Sequence, residues 1–80
     1  MTRYRLHNRH AASECAAAFA AWRGFASPLR HSVAASSCAG GGHELWFDVE
    51  ADSAMAALAL LPGFVAVRTT AIPIHDTPIP

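Results

Sequence analysis

His43-Glu44-Leu45-Trp46-Phe47-Asp48-Val49-Glu50 is the stretch on which the fold turns. Leu45, Phe47 and Val49 alternate with Glu44, Trp46, Asp48 and Glu50. A period of two belongs to a strand with one buried face and one open face. Just before it stands Ala39-Gly40-Gly41-Gly42, a glycine run that reads as a hairpin turn. The turn predicts a partner strand over residues 29–38, small in its side chains and rich in Ser and Ala. Just after it, Asp52 or Ser53 is suited to cap a helix that runs through Met55, Leu58 and Leu61. Pro62-Gly63 stops that helix.

The same reading extends to both ends. Residues 2–9 alternate, with Tyr4, Leu6 and Asn8 on one side and Arg3, Arg5, His7 and Arg9 on the other. Residues 11–23 are Ala-rich and place Cys15, Phe19 and Trp22 at helical spacing. Gly24 and Pro28 then break the chain's direction. Residues 64–74 predict a last strand, with Val65, Val67 and Thr69 opposed to Ala66, Arg68 and Thr70. Pro73, Pro78 and Pro80 make its tail extended and edge-like. The order strand–helix–strand–strand–helix–strand predicts one α+β domain over residues 1–80. The expected architecture is ferredoxin-like βαββαβ, a four-stranded antiparallel sheet with two helices on one face.

Composition narrows the function classes. The chain has 80 residues, a formal net charge of zero and 52% hydrophobic residues, which argues against disorder. All basic residues are Arg, and no cationic surplus exists to hold a phosphate backbone, so no nucleic-acid partner is expected. Arg in place of Lys, with many Ala, points to a GC-rich bacterial genome. No apolar leader follows Met1 and no run is long enough for a bilayer, so a cytoplasmic protein without a membrane partner is expected. Cys15 and Cys38 are then expected to be thiols.

The predicted topology collects chemistry at one end of the sheet. His10, Glu14, Cys15, Cys38 and His43 converge there from separate segments, around the glycine turn. Imidazole and thiolate are the preferred ligands of zinc, nickel and copper. One reading is therefore a transition-metal site of His10, Cys38 and His43, with Glu14 or Cys15 as the fourth ligand. Equally, Cys15 on the apolar stripe of its helix fits a small core residue, and Cys38 fits an inert turn thiol.

A second constellation lies on the open face of the sheet. Arg5, His7, Arg9 and Arg68 surround Trp46, with Glu44 and Asp48 on the neighbouring strand. Such a face is either solvated and laced with ion pairs, or a contact surface for a small ligand or a second subunit. A third reading is an isomerase- or cyclase-like enzyme with His7, His43 or His75 as base. No acid–base pair or nucleophile motif supports it, and Gly40-Gly41-Gly42 lacks the Lys-Ser/Thr of a phosphate loop.

The stretch 46–53, then 57–64, then 67–74, resembles the second half of muconolactone isomerase-like proteins of the dimeric α+β barrel superfamily. The likeness rests on the strand carrying Asp48-Val49, the helix, the Leu61-Pro62-Gly63-Phe64 break and the last strand. It implies a ferredoxin-like subunit that pairs through its sheet as a homodimer and holds a small organic molecule. A further likeness is to small actinobacterial metal-binding ferredoxin-like proteins. The leading expectation is thus a cytoplasmic homodimeric binding module for a small organic ligand. Metal binding, catalysis and a purely structural subunit stand as alternatives.

Overall fold

The computed structural model describes residues 1–80 as a small α+β protein built on a four-stranded antiparallel sheet. Two long strands form its centre: β1 (Thr2–Arg9) and β3 (Glu44–Ala51). They pair antiparallel over their whole length, from Thr2 opposite Ala51 to Arg9 opposite Glu44. Outside them lie β2 (Ala35–Ser36) against β3, and β4 (Thr69–Pro73) against β1. The order across the sheet is β2-β3-β1-β4.

Alternation sets the faces as expected. Leu6, Leu45, Phe47, Val49 and Ala51 are buried on one face together with Asn8. Three short helices supply the cover: α1 (Cys15–Ala20), α2 (Ala54–Leu58) and α3 (Gly63–Ala66). Ala57, Leu61 and Val65 complete the core cluster with Leu6, and Trp22 packs on Phe47 at 5.9 Å between ring centroids. α2, α3 and the Ala21–Trp22 turn that follows α1 therefore pack on the Leu6/Phe47 face. Ser53 caps α2 by accepting from the Ala56 N–H at 3.0 Å. Only 12 of the 80 residues are buried, so the apolar core is thin for its surface.

Three expectations are corrected. The helical stretch 11–23 is shorter: a 3-10 turn (Ala12–Glu14) leads into α1, which ends at Ala20. The partner strand over 29–38 contracts to Ala35–Ser36, because Ser27, Ser32 and the backbone around them close local turns instead. The last strand begins at Thr69, not residue 64. The Pro62 carbonyl accepts from the N–H groups of Val65 and Ala66 and winds residues 63–66 into α3. Val65 is buried by that turn rather than by strand alternation. No helix is long and apolar enough to cross a membrane.

Candidate metal centre

The register of the two long strands builds one end of the molecule. Arg9 pairs with Glu44, so the next residues outward, His10 and His43, face each other across the ladder. The His10 N–H donates to the His43 carbonyl at 3.2 Å. Ser36 pairs with Leu45, and the Ser37 N–H donates to the Glu44 carbonyl at 2.9 Å. That brings the following residue, Cys38, alongside His43 in a 3-10 turn (Cys38–Gly40). Ser37 organises the turn, since its carbonyl accepts from Gly40 and Gly42 and its hydroxyl from the Glu44 N–H. Gly42 lies so close to Ser37 that a Cβ there would collide with the hydroxyl. Cys15, the first residue of α1, completes the group.

His10, Cys15, Cys38 and His43 thus each offer one ligand atom, and these four atoms lie within 4.8 Å of one another. The Cys38 sulfur stands 3.7 Å from His10 Nε2. A tetrahedral zinc ion with ordinary bond lengths has ligand-to-ligand edges of about 3.3–3.8 Å. The His10–Cys38 edge already has that length. The widest pair needs to close by about 1 Å, within the reach of a side-chain adjustment.

The tautomer of the neutral His10 ring follows from its neighbour. Asn8 is fully buried, and its amide nitrogen donates to the Val65 carbonyl, the Arg68 carbonyl and Thr69 Oγ1 at 3.2–3.4 Å. With the nitrogen so engaged, Asn8 Oδ1 is the acceptor for His10 Nδ1 at 2.9 Å. In the neutral ring Nδ1 is therefore the protonated nitrogen, which leaves the Nε2 lone pair on the Cys38 side. A carbonyl that fixes a ring in this way is the usual outer support of a metal-ligating histidine.

Two further features mark His43. Its Nδ1 is buried and has no hydrogen-bond partner, a cost that a ligand would remove. Its backbone lies in the left-handed region at φ 53°, which strains a residue with a Cβ. Burial pushes the Cys15 thiol above its ordinary range, and the neighbouring Cys38 adds to the shift through its charge and a hydrogen bond. Two thiols held together share ionisation poorly without a cation between them.

Glu14 does not join this group. Its carboxylate accepts from Arg68 at 2.7 Å and from the Ala11 N–H at 2.9 Å, and Arg68 holds it below the usual carboxylate range. The open sheet face is also partly as expected. Arg5 grips Asp48 through two bonds of 2.9 and 3.0 Å, which lowers the aspartate. His7 bonds Glu44 at 2.8 Å and stacks on Trp46, with centroids 5.3 Å apart and planes 8° from parallel. Arg9 lies 3.3 Å from Glu44. Arg68, expected among them, sits elsewhere because it precedes β4. Its guanidinium lies 3.7 Å above the Phe64 ring and bonds Glu14. Asn8 is the functional candidate that the sequence reading missed. Its signal was a polar residue on the apolar side of β1, two positions before His10.

Comparison with family models, with curated proteins and with solved structures finds no match to this chain.

Proposed function

We propose that this chain is a transition-metal-binding protein with a Cys2His2 site formed by His10, Cys15, Cys38 and His43. The observation that carries the reading is the convergence of four ligand atoms from four separate segments, within 4.8 Å of one another. The fixed tautomer of His10 and the unpartnered Nδ1 of His43 support it. Two thiolates balance a divalent cation, so the loaded site is neutral, as a partly buried centre requires. Zinc fits the donor set best. Four protein ligands leave no open position, which favours a structural role over catalysis at the metal.

The fold reading that goes with this is ferredoxin-like. Its support is the pair of long central strands, the short strands on either side and the helices gathered on one face. Homodimerisation through the Trp46 face is part of the same proposal. Trp46 stays partly exposed beside an open groove shared with Arg5 and Asp48.

Cobalt(II) titration of the reduced, metal-stripped protein tests the metal reading. The expected result is a one-to-one complex with thiolate-to-cobalt charge transfer and the strong visible bands of a tetrahedral site, displaced by zinc. A pale octahedral spectrum, or a spectrum unchanged in Cys38→Ser, would sink it.

A further inference from the structure

A second groove, of about 330 Å³, opens on the other side of the sheet from Trp46, between α1 and the loop before β2. Its apolar wall includes Phe19, Trp22 and Phe47. Phe19 is half exposed there, with the His10 ring edge-on to it at 6.5 Å between centroids. Every charged or titratable residue on its lining is basic: Arg23, Arg30 and His31.

The arginines divide cleanly. Arg3 pairs with Asp76, Arg5 with Asp48, Arg9 with Glu44 and Arg68 with Glu14. Arg23 and Arg30 have no carboxylate within 4.0 Å, and both line this groove. The chain thus places its two unneutralised guanidinium groups beside the wall formed by Phe19, Trp22 and Phe47. His31 adds a backbone in the left-handed region, φ 68°, on the loop that forms the rim. Strain of this kind is concentrated in segments that hold ligands.

From this charge complementarity we infer that the groove binds a small amphipathic carboxylate. Its apolar, preferably aromatic, body lies on Phe19, Trp22 and Phe47. Its carboxylate is held by Arg23 and Arg30, whose planar forks match two carboxylate oxygens. The volume suits a small molecule rather than a polymer segment. The inference uses none of the metal ligands, although Phe19 also packs edge-on to His10.

The test is calorimetric titration with naphthalene-2-carboxylate and with its neutral partner, naphthalene-2-carboxamide. The acid is expected to bind at least about tenfold more tightly than the amide. Arg23→Gln with Arg30→Gln is expected to bring the two to parity while the amide is held as before. Phe19→Ser is expected to weaken both. The two arginines are exposed, so circular dichroism of the double variant should match the parent. Repeating the titration with Cys38→Ser separates groove binding from carboxylate capture by a metal. Equal affinities in the parent overturn the inference, as does a preference that survives the double variant. Absence of saturable binding at millimolar ligand overturns it too. So does a dimer that Phe19→Ser dissolves, which would mean that a second copy covers the groove.

Discussion

The two ends of the β1–β3 pair are closed by different means. Where β1 starts and β3 finishes, Val49 and Ala51 are buried in a core shared with Ala57 and Leu61. That end is closed mainly by apolar contact, with the Arg3–Asp76 pair on its open side. Where β1 finishes and β3 starts, the residues beyond the ladder are His10 and His43, joined by Cys15 and Cys38. Here the chain sets polar side chains against one another and leaves a buried ring nitrogen without a partner. In a domain with so few buried residues, one end rests mainly on transfer of apolar surface from water, and the other on polar groups that the proposed ion would join. If the proposed ion binds, the difference separates the forces experimentally, because only one end holds the candidate ligands.

The largest expected effect is that of metal itself. Zinc at a free concentration a thousandfold above its Kd is expected to stabilise the protein by about 4 kcal/mol, a Tm rise of about 20 °C. Thermal denaturation with and without a chelator measures it. An unchanged Tm would erase the contrast between the ends. Next comes Leu6→Ala, in the apolar core and fully buried. It is expected to cost about 3 kcal/mol. Urea denaturation should show the same loss with and without zinc, since the two ends are separate. A loss that appears only in the metal-free form would show that they are coupled.

Asn8→Leu removes the carbonyl that orients His10. Zinc affinity, read by competition with a chromophoric chelator, is expected to fall about 10- to 100-fold. A fall of similar size in the zinc-free stability alone would make Asn8 a core residue and nothing more. The pH dependence of affinity follows from the thiols. Burial raises Cys15 above its ordinary 9.0, so the metal-free protein favours the neutral thiol. That contribution to stability is present below pH 9.0 and is lost as pH rises through the higher folded value. Metal uptake must expel thiol protons. Zinc affinity is therefore expected to rise steeply between pH 6 and pH 8, with about two protons released per ion. Calorimetry in buffers of different ionisation enthalpy counts them.

The smallest effect belongs to the open face. Arg5 lowers Asp48, so this pair adds stability above the ordinary carboxylate value of 3.8 and loses it as pH falls through the folded value. Both side chains are about half exposed, and solvent screens them. Arg5→Gln is expected to change Tm at pH 7 only slightly, and by less as pH falls through the folded Asp48 value. A large change at pH 7 would mean that the Trp46 face is covered by another subunit.

What could be read from sequence follows the same division. The long strands were legible because alternation is a local signal and nothing overrides it in residues 2–9 and 44–50. The gathering of His10, Cys15, Cys38 and His43 was legible once the strand directions were assigned. Glu14 was misplaced because its partner, Arg68, was assigned to the sheet. That error came from residues 64–67, where alternating Val65 and Val67 mimic a strand while the Pro62 carbonyl is free to start a helical turn. The unpaired arginines of the second groove were invisible, since pairing is decided by tertiary neighbours. Asn8 escaped for a related reason: alternation shows that it points inward, but not that three acceptors and an imidazole wait for it.

The bond from the His10 N–H to the His43 carbonyl continues the β1–β3 ladder by one rung. A slip of one residue along that ladder would set His10 opposite Gly42 or Glu44 and reverse every side chain of β1 between the faces. Only one alignment of the two strands therefore presents both imidazoles together. The ion would act as a proofreader of strand alignment, retained by chains that have paired correctly and lost from those that have not.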